Sequence, residues 1–599
     1  MTHSRPHGLG DFTADPRMVL TALLAVCIGL VSTVVAWLLL RLIGFFTNLF
    51  YYGRWDTRLV SPAGNHLGAW AILIPVAGAL VIGLMARYGS ERIRGHGIPE
   101  AIESILINGS RVAPRLAFLK PLSSAISIGS GGPFGAEGPI IMTGGAFGSM
   151  IAQFFHLTSA ERKTLLVAGA AAGMSATFAS PIAAVLLAVE LLLFEWKPRS
   201  LVPVALASAT AGAARRYILG VGPLFPVASH PIFIGPAGLA GCVLCGVAAG
   251  LLSVLLTGAV YAAEDAFQKL PIHWMWWPAI GGLAVGLGGL IFPQALGVGY
   301  DTIGALLQGD VARGTILGIL LVKSAIWAIS LGSGTSGGVL APLLMMGGAL
   351  GGIEAMFLPA EGVGFWPLIS MGAILGGTMR SPLTGIVFAF ELTHDVNVML
   401  PLLVASVIAH GFTVLVLKRS ILTEKVARRG YHLSREYSVD PLEILFARDA
   451  MRTSVLALPA DVTPEELSAN AGLRKSNKSQ LLFPVVEAGD RLCGVLTRSQ
   501  LARLFEHPSL GNRKLRDLAV HPVAAHPDEP LRMIVNRMAE SGLTRLPVVD
   551  RGESPKLRGI ISLRDLLSAR SRNLDEERTR ERVLRLRLPM LSRQSQNKA

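Results

Sequence analysis

The segment from Met18 to Leu40 contains no charged residue, and it is longer than the roughly 20 residues a bilayer core requires. Four further apolar stretches qualify as spans: Leu201 to Ala214, Ala237 to Ala262, Trp276 to Phe292 and Met399 to Leu417. Only 16% of the 599 residues are charged and mean hydropathy is +0.52, which excludes an ordinary soluble protein. Several other apolar segments are short or broken by glycine and proline. In lipid, a broken helix survives only where protein or a water-filled cavity surrounds it. The expected fold is therefore all-α in the membrane, with many broken helices. Residues 1–17 lack the short apolar core and cleavage site of a removable leader, so the first span reads as retained.

Three glycine-rich loops each lead through a proline into an apolar segment. They are Gly95-His96-Gly97-Ile98-Pro99, Gly135-Ala136-Glu137-Gly138-Pro139 and Gly337-Gly338-Val339-Leu340-Ala341-Pro342. Proline suits the start of a helix because the amide it lacks would be unpaired there. Each loop thus reads as a helix N-terminus, with bare amides and the positive end of the helix dipole. Three such ends converging in a membrane would hold a dehydrated anion. Glu137 stands where an anion would otherwise sit, and an ionisable residue inside a membrane segment is costly. The alternative for Glu137 is an ordinary N-terminal cap.

The apolar part repeats itself. The stretch Gly129 to Pro139 resembles Gly332 to Pro342, and Ser180 to Leu191 resembles Ser381 to Leu392, both about 200 residues apart and in the same order. Repeats with broken helices at matching positions mark transporters, whose substrate site lies where the halves meet. From Ser420 onward charged residues become frequent and strands alternate with helices, so a soluble part begins there. It repeats as well: Leu482 to Leu501 matches Arg545 to Leu566, each with two apolar strands and a helix begun by Thr or Ser. The net charge of +14 is concentrated in this C-terminal part, and Arg428 and Arg429 follow the last span. The positive-inside rule then places the C-terminus in the cytoplasm. Membrane context accounts for the basic charge, and no nucleic-acid partner is expected. Cys242 and Cys245 form a C-x-x-C pattern in an apolar helix with no His or Cys pair nearby, so they read as packing residues rather than a metal or redox site. No enzymatic nucleophile, metal cluster or phosphate loop is evident.

Together the three loops resemble the GSGIP, GxEGP and GxFxP loops of the CLC family of chloride channels and chloride/proton exchangers. The resemblance runs from about Met18 to Arg429, and the soluble repeat resembles a pair of CBS domains. It implies a CLC-type inverted repeat over residues 18–430, a cytoplasmic α/β CBS pair at 446–508 and 515–572, and a charged tail at 573–599. It further implies an integral membrane homodimer with both termini cytoplasmic and one anion path per subunit, carrying chloride or other small anions. Glu137 would be the gating glutamate. His96, Gly97, Ile98, Gly135, Gly138, Val339, Leu340 and Leu422 would line the anion path. Lys120 would favour anions through its field, or else snorkel to water. No cofactor is required, and adenine nucleotide is the candidate ligand of the CBS pair, with Thr497, Ser562 and Asp565 matching the pattern for it.

Five departures from the family pattern bear on function. His96 replaces the serine of the first loop; its ring can donate to an anion and titrate, or turn away and leave the backbone to hold it. Leu340 replaces a phenylalanine, and Leu422 falls where the family has its central tyrosine; Tyr431 lies too far on to substitute. Leu191 follows Glu190 where many exchangers have a second glutamate that passes protons. Glu195 is the nearest substitute, or an interfacial charge beside Trp196 and Lys197. Leu191 favours a channel or an uncoupled transporter, with an exchanger using an altered proton route as the alternative. Gln500 replaces the acid of the first soluble unit, leaving one typical nucleotide site or a purely structural platform.

Overall fold

The computed structural model describes residues 16–106, 109–429, 445–469, 480–506, 513–552 and 555–578, together with Leu442. Tyr431, the segment before residue 16 and the tail from residue 579 lie outside the described residues. The chain divides into two units, Met1–Arg435 and Glu436–Ala599.

The first unit is helical throughout. Its first half comprises α1 (Arg17–Thr47), α2 (Leu73–Tyr88), α3 (Ile98–Leu106), α4 (Pro114–Gly129), α5 (Glu137–Gln153), α6 (Ser159–Phe178), α7 (Pro181–Leu187) and α8 (Pro198–Ile218). The second half comprises α9 (Pro236–Gln268), α10 (Trp277–Ile291), α11 (Tyr300–Gln308), α12 (Arg313–Gly332), α13 (Leu340–Glu354), α14 (Phe365–Met379), α15 (Pro382–Thr393) and α16 (Met399–Val416). A short α17 (Ile421–Arg428) follows. Among the described residues, six segments are long and apolar enough to cross a membrane, starting at Arg17, Gly68, Pro236, Trp274, Arg313 and Val396. Three of the five stretches read from sequence fall within them, and a fourth, Trp276 to Phe292, overruns its segment by one residue. The fifth, Leu201 to Ala214, lies inside α8, whose ends carry Arg199, Arg215 and Arg216 and dilute its hydropathy.

The short helices α5, α6, α13 and α14 form the centre. Nearly every residue of α6 from Thr164 on, and all of α14, is buried. A helix apolar on every side is one surrounded by other helices. Glycines permit this density: an added Cβ on Gly144 would lie 2.3 Å from the Gly169 carbonyl oxygen, and one on Gly169 would lie 2.1 Å from that of Gly144. Long helices such as α1 and α9 instead leave one side exposed, with Leu23, Leu30, Leu244 and Leu255 at half exposure or more. That pattern suits contact with lipid tails.

The two halves complete each other at α7 and α15. Glu391, on α15, accepts from the amides of Ile182 (3.0 Å) and Ala183 (2.8 Å) at the start of α7. Glu190, in the π-helical turn Ala188–Leu193 that continues α7, accepts from the amides of Leu383 (3.3 Å) and Thr384 (2.9 Å) at the start of α15. A carboxylate on otherwise unpaired N-terminal amides satisfies them and the helix dipole together.

The second unit contains two small sheets. In one, β1 (Leu458–Pro459) pairs in parallel with β2 (Leu482–Glu487), which pairs antiparallel with β3 (Arg491–Thr497). In the other, β4 (Arg545–Val549) pairs antiparallel with β5 (Leu557–Ser562). The hairpins carry matching irregularities, at Val485/Val486 and at Val548/Val549. The internal repeat read from sequence is thus a structural repeat. The hairpins are also linked, through bridges between Arg491 and Lys556. Each has its own core, one around Val485 and Leu496, the other around Val548 and Ile561.

Candidate functional site

The three glycine loops meet. Gly135 and Gly338 exchange backbone hydrogen bonds, 3.1 Å from the Gly135 amide and 2.9 Å from the Gly338 amide. The Gly95 amide donates to the Thr335 carbonyl at 3.1 Å. The first and second loops touch directly: a Cβ on Gly138 would stand 1.9 Å from the His96 carbonyl oxygen and 3.1 Å from the Gly338 Cα. No residue larger than glycine fits there without moving backbone. The loops open α3, α5 and α13, with proline at the second helical position in α3 and the third in α5 and α13. This is one or two places later than the sequence reading put it, but still among the amides a helix cannot pair internally.

Glu137 sits at the centre of this meeting and is fully buried. Its carboxyl folds back over Gly135 and Gly338, so that a Cβ on either would strike it. Its own amide and that of Ala341 face it, but neither carboxyl oxygen reaches a hydrogen-bond partner. Orphaned polar atoms at a buried position are rare and call for a role. Glu137 is the first residue of α5, and the N-cap position before it is Ala136.

Other expected residues find defined places. Val339, Leu340, Ile98 and Leu422 are all fully buried. Leu422 is the second residue of α17, next to Ile421, whose carbonyl accepts from the Tyr261 hydroxyl at 2.5 Å. His96 is buried, and its Nδ1 meets no partner. Two expected bare amides are in fact engaged. That of Gly97 donates to the Glu100 carboxylate at 2.9 Å, and that of Gly135 donates to Gly338 as described.

Lys120 neither snorkels nor acts only from a distance. It is fully buried, and its Nζ donates to the carbonyls of Ile93 (2.8 Å) and Gly95 (2.7 Å) and to the Ser336 hydroxyl (3.2 Å). Three acceptors use the three protons of an ammonium. The amine therefore clamps the first loop to the third.

The sequence reading missed a fourth loop. Lys323, also fully buried, donates to the carbonyls of Ala295 and Gly297, both at 2.8 Å. Gly297-Val298-Gly299 stands to Lys323 as Gly95-His96-Gly97 stands to Lys120: the lysine follows its glycine acceptor by 25 residues in the first half and 26 in the second. Both glycines of each pair have positive φ, +82° and +89° in the first and +62° and +80° in the second. The fourth loop opens α11 at Tyr300, whose ring packs on Phe178 and Phe225. A Gly-x-Gly followed by a lysine about 25 residues later, in both halves, is the signal that could have found it.

Leu191 is fully buried, Glu190 caps α15, and Glu195 accepts from the Ser200 hydroxyl (2.7 Å) and pairs with Lys197 (3.4 Å) and Lys163 (3.8 Å). The interfacial reading of Glu195 fits this better than proton carriage. In the second unit, Ser562 and Asp565 bond each other, and Asp565 also pairs with Arg452 at 2.9 Å. Thr497 donates to Gln500 at 2.8 Å in the same local arrangement. Those side chains hydrogen-bond at the starts of their helices. Among the described residues, no group of three His, Cys, Asp or Glu is arranged to hold a metal, and Cys242 and Cys245 are buried free thiols on α9.

Comparison with known proteins agrees with this architecture. The family model for the voltage gated chloride channel matches residues 77–414, and that for the CBS domain matches residues 515–572. A putative chloride channel protein ClcB-like from Ralstonia nicotianae is 31% identical over 363 residues, spanning 59% of this chain and 84% of that protein. The H(+)/Cl(-) exchange transporter ClcA of Yersinia pseudotuberculosis is 30% identical over 374 residues, spanning 58% and 75%. Among solved structures, a slow cyanobacterial Cl-/H+ antiporter aligns with TM-score 0.59 and 20% identity, over 70% of this chain and 99% of that one. A eukaryotic CLC transporter aligns with TM-score 0.57 and 19% identity, over 92% and 98%. With its matched loops, its repeated halves and a CBS domain behind them, the chain belongs to the voltage gated chloride channel (CLC) family of integral membrane proteins.

Proposed function

We propose that this protein moves chloride across a membrane along a path through the meeting point of the three loops, with Glu137 as its gate. The carrying observation is the buried Glu137 carboxyl, which lies over Gly135 and Gly338, faces the Ala341 amide and has no hydrogen-bond partner. An anion and this carboxylate compete for the same helix ends, so the path opens when the side chain swings away or takes a proton. Matching CLC proteins are named as chloride channels or chloride/proton exchangers, which supports chloride as the cargo. We take the protein to act as a homodimer with both termini in the cytoplasm, residues 18–430 as its transport domain, and 446–508 and 515–572 as a CBS pair.

Transport is channel-like in this reading. Leucine at 191 carries no proton, Glu190 is committed to capping α15, and Glu195 is held by Ser200 and two lysines. The second reading, chloride/proton antiport by another route, is favoured by His96, a buried imidazole within the first loop whose Nδ1 has no hydrogen-bond partner. Recording chloride and proton movement together in proteoliposomes under a chloride gradient decides between them. Chloride flux without proton movement supports the channel. Uphill proton movement at a fixed ratio supports the exchanger. Glu137→Gln, a mimic of the protonated gate, is expected to give faster and less pH-dependent chloride flux. Unchanged flux and pH response would remove Glu137 as the gate.

A further inference from the structure

Tyr300 opens α11 directly after the fourth loop, and its hydroxyl is buried without a hydrogen-bond partner. A buried tyrosine O–H usually finds one. The ring itself is held. Phe178, at the end of α6, stands edge-on to it at 6.3 Å, and Phe225, beyond α8, packs on it at 6.0 Å. Phe178 is braced in turn by Phe388 of α15 at 5.3 Å, and the Phe225 amide donates to the Leu392 carbonyl at 2.9 Å. The charged group that the Tyr300 hydroxyl faces is Glu137, whose two carboxyl oxygens also lack a partner. A donor and an acceptor, both orphaned, thus face each other without being bonded. Tyr300 also lines a cavity of about 80 Å³, together with Gly297, Val298, Gly299 and Asp301, so there is unfilled space beside the ring.

A carboxylate that yields the helix ends to an anion needs another polar partner, because an unpaired charge in a dry interior is too costly to populate. The neighbouring elements offer few. Lys323 of α12 faces Glu137, but two of its three protons are given to the Ala295 and Gly297 carbonyls. Its charge favours a carboxylate near the fourth loop while its amine holds that loop. His96 of the first loop faces Glu100, Lys120, Lys425 and Arg429 instead, and Glu100 is paired with Lys425 of α17 at 2.8 Å. Glu354 of α13 accepts from the Ser370 hydroxyl of α14, and Glu190 and Glu391 cap α15 and α7. The charged residues of α6 stand at its start, at the opposite end from Phe178. The Tyr300 hydroxyl alone among these groups faces Glu137 and has nothing else to bond.

We propose that the Tyr300 hydroxyl receives the Glu137 carboxylate when it leaves the helix ends, donating a hydrogen bond that holds the gate displaced. Tyr300 is a positioning residue, acting through Glu137 rather than on the anion. The inference rests on the reading of Glu137 as the gate, and its test separates the two.

The test is chloride flux across a pH series in proteoliposomes of the full-length protein, for the parent, Tyr300→Phe, Glu137→Ala and the double variant. Tyr300→Phe removes one oxygen and keeps the ring against Phe178 and Phe225. It is expected to lower flux roughly tenfold at alkaline pH, where the gate opens as a carboxylate, which is the effect of losing one hydrogen bond to a charged group. At acid pH, where protonation opens the gate, the loss shrinks. Glu137→Ala removes the gate and is expected to raise flux and flatten its pH response, and adding Tyr300→Phe to it then changes nothing. A tyrosine that binds the anion itself, or that only supports the fold, lowers flux with and without Glu137, and that result overturns the proposal. Unchanged alkaline flux in Tyr300→Phe overturns it too. So does loss of folded protein in Tyr300→Phe, because the hydroxyl bonds nothing while the gate is closed. If Glu137→Ala leaves flux and pH response at the parent's, the gate reading falls and the inference with it. If Glu137→Ala releases flux and Tyr300→Phe acts independently of it, the inference alone falls.

Discussion

Replacing Lys120 with methionine tests the clamp between the first and third loops. Methionine has nearly the volume of lysine, so the substitution removes charge and donors with little cavity. It leaves the Ile93 carbonyl without its donor and the Gly95 carbonyl with only the Gly337 amide at 3.5 Å, the weak limit of a hydrogen bond, in surroundings from which water is excluded. The Ser336 hydroxyl is not orphaned, because Ser123 (3.2 Å) and Ser124 (2.9 Å) remain within reach. Each abandoned buried carbonyl costs about 1–3 kcal/mol, so the loss is about 2–6 kcal/mol. At roughly 2 °C per kcal/mol for a domain of this size, the apparent Tm falls by roughly 4–12 °C. Lys323→Met abandons two carbonyls in the same way and is expected to cost about as much. The assay is size-exclusion chromatography of detergent-solubilised protein after stepwise heating. Unfolding is irreversible under such conditions, so parent and variants are compared at one heating rate. A fall of less than about 2 °C in both variants, under about 1 kcal/mol on that scale, would refute the argument that these amines satisfy otherwise orphaned carbonyls.

Gly138→Ala forces a methyl into the His96 carbonyl and against Gly338, with backbone on both sides. It is expected to cost about 3 kcal/mol or more and to abolish chloride flux in proteoliposomes even where dimer survives. Glu391→Ala removes the acceptor of two α7 amides and is expected to destabilise the membrane unit by roughly 2–4 kcal/mol, seen as a lower apparent Tm. Glu190→Ala acts alike on α15, and a loss confined to one of the two would contradict the reciprocal capping. In the second unit, burial and then Glu487 push the Cys493 thiol above its ordinary range, so it stays protonated at neutral pH. Iodoacetamide is expected to label it slowly near pH 7 and faster as pH rises, read by mass spectrometry; rapid labelling at neutral pH would contradict this.

Much of the site was legible because its chemistry is local. Glycine, proline and a lone glutamate within five residues define a helix start with an acid on it, wherever the helix goes. The repeat was legible because both halves keep the same motif order. What escaped depends on partners distant in sequence. Glu100 sits one residue beyond the first loop, but its meaning comes from Lys425, on a helix more than 300 residues later. Lys120 was visible, yet nothing near it in sequence shows that two loop carbonyls close around it. The fourth loop lacks the proline that marked the others, and only its spacing to Lys323 betrays it. Ser562 and Asp565 match a nucleotide pattern, but the same spacing starts a helix, and Arg452 takes up the remaining carboxylate oxygen.

The exchanged caps of α7 and α15 have a consequence for how such a chain could arise. Neither half holds the carboxylate that its own short helix requires; each lends it to the other. A single half would therefore expose a bare helix end in lipid, unless it met a second copy of itself in the opposite orientation. In that pairing both ends are capped at once by the same residue acting twice. An ancestral half-length protein would thus have been obligately paired from the start. Fusing two copies into one chain would have asked for no new contact at this seam, only for a linker.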